Sequence, residues 1–123
     1  GVFSTAEELH VIARELLECY HGRGRLISKD IVRRFWRKDG LDSKSTWALG
    51  WDTPSAEGSS AGHHFGPAAV GHLGYTGGSI WIEPEKEIVV ILLTNRIHPS
   101  PENNRIKEFR PKFHDAVMEL IGK

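Results

Sequence analysis

The sequence lacks the features that mark several large classes of protein. It has a single cysteine, Cys19, so no disulfide can form within the chain. Its 16 basic residues are balanced by 16 acidic ones, and a neutral chain lacks the electrostatic footprint of a nucleic-acid-binding protein. No run approaches the roughly 18 consecutive apolar residues that a membrane-spanning helix needs. We therefore expect no nucleic-acid partner and no membrane span in this segment.

The clearest positive signal is a β-rich run between residues 66 and 95. Its last part, Ile88 to Leu93, is a series of consecutive apolar residues, most of them β-branched, which is typical of a short strand buried on both faces. Polar turn signals precede it, including the proline-containing stretch from Glu83 to Lys86. We predict a three-stranded antiparallel meander with strands at about residues 69–74, 79–83 and 87–94.

Helical patterns precede this run. The first begins with Ser4 and Glu7, which match a capping box. It continues with apolar residues at helical spacing that should face the core, namely Leu9, Ile12, Ala13, Leu16, Leu17 and Tyr20. A second short helix is predicted from Lys29 to about Arg37, with its inward face formed by Ile31, Phe35 and Val32.

A final helix is predicted from Arg105 to Ile121. Its apolar face should lie across the sheet and consists of Phe109, Phe113, Ala116, Val117 and Leu120. A chain of 123 residues with 39% hydrophobic content can bury one modest core, so we expect a single domain over residues 1–123. The order of the elements predicts the α+β class, with N-terminal and C-terminal helices packed on an antiparallel sheet.

Two segments of different character separate the second helix from the meander. Residues 46–52, TWALGWD, are predicted to be a short extended segment whose tryptophans, Trp47 and Trp51, bring apolar area to the core. Residues 53–66 are rich in glycine, serine and proline and predict a long loop.

The histidines His63, His64 and His72 raise the question of a metal site. Adjacent side chains point in different directions on a strand or a loop, and no carboxylate stands at recognisable ligand spacing. We therefore interpret His63 and His64 as exposed loop residues and expect neither a metal nor a cofactor.

Residues 71–95, GHLGYTGGSIWIEPEKEIVVILLTN, resemble the last three strands of the serine β-lactamase and penicillin-binding-protein superfamily, most of all its class C β-lactamase and esterase branch. The first of these strands carries a Lys-Thr-Gly box in that superfamily, often His-Thr-Gly in esterase-like members. Here the box is His72-Leu73-Gly74, in which Leu73 replaces the hydroxyl residue. The blocks GVFSTAEEL, LGWDT and RPKFHDAVMEL extend the resemblance over most of the chain.

The resemblance implies roles for the box and for the residues after it. His72 would face the active-site cleft in place of the lysine, and the backbone N–H of Tyr75 would help to form the oxyanion hole. Contacts with the substrate are implied for Leu73, Gly74, Thr76 and Gly77. Periodicity leaves simpler interpretations open, since His72 could merely end a strand and the glycines could serve only a tight turn.

Two further motifs of the superfamily are missing. No serine is followed by lysine three positions later, and neither Tyr20 nor Tyr75 begins a Tyr-x-Asn motif. The chain also starts inside a block that resembles the family, so we interpret it as the C-terminal fragment of a larger hydrolase, inactive alone. The intact protein would cleave a small-molecule ester or amide through an acyl-enzyme. The alternative is a non-catalytic binding or regulatory domain on the same scaffold.

The resemblance also bears on assembly and location. In the whole fold further strands would flank Ile88 to Leu93, and without them this strand would leave unpaired backbone groups at the edge of the sheet. We therefore expect self-association through this edge. The resemblance is compatible with the cell envelope or periplasm, while the residues themselves leave the compartment and the substrate open.

Overall fold

The computed structural model describes residues 2–38 and 44–122. Within these residues it contains three α-helices and one sheet, in the order α1 (Ala6–His21), α2 (Lys29–Trp36), β1 (Val70–Leu73), β2 (Ser79–Glu83), β3 (Ile88–Leu92) and α3 (Ile106–Ile121). The sheet is an antiparallel meander, so the predicted α+β class and topology are confirmed. No helix in the described part of the chain combines the length and the apolar character that crossing a bilayer requires.

The sheet is covered by helices on both faces. Its register places Trp81 of β2 between Gly71 of β1 and Val90 of β3, and these residues share one face because side chains alternate along a strand. That face packs against α3 and the loop before β1, whereas the face of Val70 and Ile82 packs against α1 and α2. Gly71 leaves room for the Trp81 indole, which a Cβ at position 71 would overlap. The centre of β2 is therefore fully buried between two helical layers.

Helix α1 begins one residue later than predicted. The capping box is formed by Thr5 and Glu8, not by Ser4 and Glu7: the Glu8 N–H donates to Thr5 Oγ1 and the Thr5 N–H donates to the Glu8 carboxylate, both at 3.2 Å. The predicted inward position of Ile12 is also wrong, since this side chain is 59% exposed. The fully buried residues of α1 are Ala13, Leu17 and Cys19.

Helix α2 is rotated from the predicted orientation, and of its three predicted inward residues only Val32 is buried. Ile31 and Phe35 are about half exposed, whereas Val32 and Trp36 are buried. Trp36 is the largest side chain of the helix, and its ring stacks on Tyr20 of α1 with a distance of 5.3 Å between ring centroids. Burying this ring turns the Trp36 side of α2 toward the core.

Helix α3 buries a stripe in which two of the four residues are polar. Its predicted inward residues Phe109 and Leu120 are 50% and 78% exposed, and Ala116 is exposed as well. The buried stripe recurs every four residues and consists of Ile106, Arg110, His114 and Met118. Phe113 and Val117 are partly buried and pack against the cluster around Trp81, as predicted. The prediction is wrong for the other three residues because Arg110 and His114 find hydrogen-bond partners inside the fold, which a count of apolar residues cannot reveal.

The segment from Thr46 to Asp52 folds back on itself. Trp47 pairs with Asp52, and Asp52 pairs with Gly71 of β1 through hydrogen bonds of 2.8 and 2.9 Å. Trp51 packs against the core on the α1 side, as predicted, but Trp47 is 45% exposed and the prediction that it joins the core is wrong. The pairing therefore places an exposed tryptophan at the outer edge of β1.

Candidate functional site

The predicted box ends β1, and a short turn joins it to β2. We call residues 74–78 the box turn. The Gly74 N–H donates to the Gly78 carbonyl at 2.8 Å, and the Gly77 N–H donates to the Gly74 carbonyl at 3.0 Å. Gly77 is buried with φ of +107°, and a Cβ there would overlap the side chain of Thr94. Only glycine fits this position, so Gly77 shapes the turn.

His72 is exposed at the end of β1, beside an aromatic side chain. Its imidazole makes an edge-to-face contact with the indole of Trp47, at 5.7 Å between ring centroids. Alternation along β1 places Leu73, which is opposite Ser79 of β2, on the other face of the sheet from His72. Sequence reasoning missed Trp47 as a neighbour of His72, because the contact depends on the pairing of a distant segment with β1.

Arg96 binds one side of the box turn. Its Nε donates to the Tyr75 carbonyl at 2.9 Å, and its backbone N–H donates to the Thr76 carbonyl at 2.8 Å. The guanidinium also lies 4.9 Å from the centroid of the Tyr75 ring and donates to the carbonyls of Pro101 and Asn103. Arg96 therefore fixes both the backbone and the ring at position 75.

Arg110 of α3 binds the other side of the box turn. Its Nε donates to the Gly77 carbonyl at 2.9 Å, and its Nη2 donates to the carbonyls of Gly74 at 3.0 Å and Gly78 at 3.2 Å. Burial lowers the pKa of Arg110, and the positive charge of Arg96 lowers it further. With the bonds from Arg96, every carbonyl of the box turn accepts a hydrogen bond.

The amide groups of Tyr75 and Thr76 have the opposite character. Within residues 2–38 and 44–122 neither N–H has a hydrogen-bond acceptor, and both residues are exposed, as is Gly74. A turn whose carbonyls are all occupied, and in which these two exposed N–H groups are not, presents positive partial charge at residues 75 and 76. This arrangement can bind an anionic oxygen.

His114 ties α3 to the sheet and to the long loop. It is fully buried, with Nδ1 at 2.8 Å from the Ser60 carbonyl and Nε2 at 3.0 Å from the Ser79 hydroxyl. A carbonyl can only accept, so Nδ1 carries the hydrogen and Nε2 accepts from Ser79 in the neutral ring. Burial lowers the pKa of His114 and the charge of Arg110 adds to this, against the opposing effects of the Ser60 hydrogen bond and of Asp115.

Sequence reasoning did not single out Arg110 or His114. The available signal was their spacing of four residues, which places both on one side of a helix. Polar residues at this spacing more often face solvent, so the spacing alone does not predict that Arg110 and His114 are buried.

His63 and His64 lie on the exposed loop, as predicted, and each faces a carboxylate of α3. His63 Nδ1 is 2.8 Å from Asp115 Oδ2, and His64 Nε2 is 3.0 Å from Glu119 Oε1. Burial opposes the charge of Asp115, but hydrogen bonds from the His63 backbone and ring outweigh it, so that its pKa is lowered. In the described part of the chain, no three potential metal ligands converge.

Comparisons with known proteins agree with this architecture. A search of curated protein sequences gives no match. Among solved structures, the chain is similar to the crystal structure of a β-lactamase from Mycobacterium bovis, with a TM-score of 0.74 and 23% sequence identity. The match covers 95% of this chain but 44% of that one, and at this identity it shows the fold alone. The family model described as Beta-lactamase matches residues 1–112, and the chain therefore belongs to the Beta-lactamase family.

Proposed function

We propose that the chain forms the C-terminal part of a serine hydrolase, which cleaves a small-molecule ester or amide through an acyl-enzyme. A serine oxygen supplied by another part of the protein would attack the carbonyl carbon, the alcohol or amine would leave, and water would release the acid. The observation that carries the proposal is the box turn. Its carbonyls are all paired, whereas the N–H of Tyr75 has no acceptor in the described residues.

The role proposed for Tyr75 follows from where charge develops in this reaction. Attack on the carbonyl carbon places negative charge on the carbonyl oxygen, and a backbone N–H that is already oriented stabilises it without reorganisation. Loss of one such donor typically costs about 3 kcal/mol of transition-state stabilisation. The Tyr75 N–H would be one donor, and the N–H of the serine nucleophile would be the second.

His72 is proposed to line the cleft beside this donor. Its exposed imidazole, held against Trp47, can donate a hydrogen bond to the substrate or to the tetrahedral intermediate. Leu73 offers no hydroxyl to a substrate carboxylate, and alternation along β1 turns its side chain to the opposite face from His72. These features favour esters and small amides that carry no carboxylate. Gly74, Thr76 and Gly77 would form the backbone wall along which the substrate lies.

A substitution that removes only the backbone donor tests the proposal. In the intact protein that contains this chain, Tyr75→Pro deletes the N–H, whereas Tyr75→Ala deletes the side chain and keeps the N–H. We expect kcat for an activated ester to fall about 100-fold in Tyr75→Pro relative to Tyr75→Ala. The N–H has no partner in the described structure, so its loss breaks no hydrogen bond. Because proline also fixes φ, kcat is compared at a temperature at which thermal unfolding shows both variants to be folded.

Equal activity of these two variants would contradict the role of the Tyr75 N–H. Labelling with a fluorophosphonate probe tests the broader proposal, since the intact protein should be labelled and the chain of residues 1–123 should not. If the intact protein is neither labelled nor active, the non-catalytic binding domain becomes the better interpretation.

A further inference from the structure

The box turn is bound by a buried arginine that approaches it from the side of α3. Arg110 lies on α3, on the Trp81 face of the sheet, and it is 7% exposed. All its hydrogen bonds within the described residues go to carbonyls of the box turn, at Gly74, Gly77 and Gly78. No carboxylate of the described residues pairs with it. A buried cation without an ion pair is unfavourable unless its donors are satisfied, so the box turn and Arg110 depend on each other.

One of these hydrogen bonds acts directly on the proposed oxyanion donor. The Gly74 carbonyl and the Tyr75 N–H belong to the same peptide group, which is planar and trans. The two groups therefore point in opposite directions. When Arg110 Nη2 binds the Gly74 oxygen at 3.0 Å, it turns the Tyr75 N–H away from α3 and out of the molecule.

The remaining bonds prevent this peptide group from rotating. The Gly77 N–H donates to the same Gly74 oxygen at 3.0 Å, and Arg96 Nε holds the next peptide group through the Tyr75 carbonyl. The guanidinium is planar and presents its donors in a fixed fork, so a flexible ammonium could not reproduce the same set of directions. Two arginines thus fix two consecutive peptide groups.

We infer that Arg110 is a positioning residue that orients the Tyr75 N–H for catalysis from behind the sheet. Its effect on catalysis rests on the proposed function, whereas its effect on the peptide orientation does not. Arg110 touches the carbonyls of the box turn and acts on the reaction through the Tyr75 peptide group.

The test compares Arg110→Ala with Met118→Ala in the intact protein. Met118 lies two turns further along the same buried stripe of α3, is 4% exposed and packs in the cluster around Trp81, so it controls for general destabilisation. We expect kcat to fall about 100-fold in Arg110→Ala with KM changed less than about threefold, because a misplaced donor acts mainly on the transition state. Met118→Ala should leave kcat within about threefold of the unchanged protein. Added guanidinium ion should restore part of kcat in Arg110→Ala alone.

A measurement that needs no activity separates this inference from the proposed function. The amide NMR signals of Tyr75 and Thr76 should shift or broaden in Arg110→Ala and stay in place in Met118→Ala. If both variants lose kcat equally, or if the Tyr75 signal does not respond to Arg110, the inference is wrong. If the unchanged protein has no hydrolase activity, the proposed function fails, and the Tyr75 signal alone decides whether Arg110 orients the peptide group.

Discussion

At the scale of single residues, the buried stripe of α3 is unusual because two of its four side chains, Arg110 and His114, are polar. Arg110 and His114 point inward, while Phe109 and Leu120 on the same helix are exposed. Each of these polar side chains forms hydrogen bonds with groups outside the helix. Arg110 donates to carbonyls of the box turn, and His114 bonds to the Ser60 carbonyl and the Ser79 hydroxyl. Hydrogen bonding of all these groups allows polar residues to replace part of the usual apolar contact surface.

The buried His114 should make the stability of the protein depend on pH. Its pKa in the folded state is lowered by burial, so between that value and the unfolded value the unfolded chain binds more protons. The free energy of unfolding should therefore be highest above about pH 6.5 and should fall as the pH decreases through this window. The slope contributed by this one group cannot exceed about 1.4 kcal/mol per pH unit.

The measurement is urea unfolding between pH 5 and pH 8 for the unchanged chain and for His114→Gln. The pairs of His63 with Asp115 and of His64 with Glu119 are present in both proteins, so their contributions cancel in the difference. We expect the slope to be smaller in His114→Gln. Identical slopes would show that His114 is protonated to the same extent in the folded and unfolded states.

At this scale the sequence suggested part of the candidate site, and the roles implied for those residues stay predictions. His72 and Tyr75 could be predicted because they lie within a recognisable block beside a glycine-rich turn. Trp47, Arg110 and His114 could not, because each depends on contacts with residues more than 20 positions away. Periodicity describes one element at a time and contains no information on such partners.

Among the secondary structure elements, the strands were predicted better than the faces of the helices. Turn signals on both sides define where β2 and β3 begin and end. Because side chains alternate along a strand, only two assignments of its residues to the faces of the sheet are possible. A helix can rotate about its axis, and one large side chain such as Trp36 is enough to select the face. The predicted helix ranges are therefore close to the observed ones, whereas their predicted inward residues are partly wrong.

The start of α1 offers a test at the level of an element. The structure assigns the cap to Thr5, whose side chain accepts from the Glu8 N–H at 3.2 Å. We expect Thr5→Ala to lower the free energy of unfolding by about 1 kcal/mol. The neighbouring substitution Ser4→Ala removes a hydroxyl that binds Glu8 from outside the helix, and it should cost less than half as much.

Thermal or urea unfolding followed by circular dichroism would measure both effects. A larger loss in Ser4→Ala than in Thr5→Ala would place the cap at the position suggested by the sequence instead of the observed one.

For the molecule as a whole, the open question is the edge of the sheet at β3. Within the described residues no further strand pairs with β3, and Leu93, which directly follows it, is 50% exposed. The sequence led to an expectation of self-association through this edge, and that expectation stays a prediction. Strand addition would satisfy the unpaired backbone groups of β3.

A charge at this edge should weaken the association. We expect the unchanged chain to show a molar mass above that of the monomer in concentration-dependent light scattering. Leu93→Lys should raise the dissociation constant at least about tenfold, because two copies would bring like charges together. Leu120→Lys introduces the same change at a 78% exposed position on α3 and should have little effect. A monomer mass at every concentration would rule out the association.

The pairing of Asp52 with Gly71 limits what such an assembly could become. Asp52 both donates to and accepts from Gly71, so the outer side of β1 is occupied at its centre by the chain itself. Two copies joined at β3 would be related by a two-fold axis. Each end of their shared sheet would then be a β1 strand whose outer side is paired with Asp52. Growth would therefore terminate at a pair, and this pairing would protect the chain from forming filaments through its sheet.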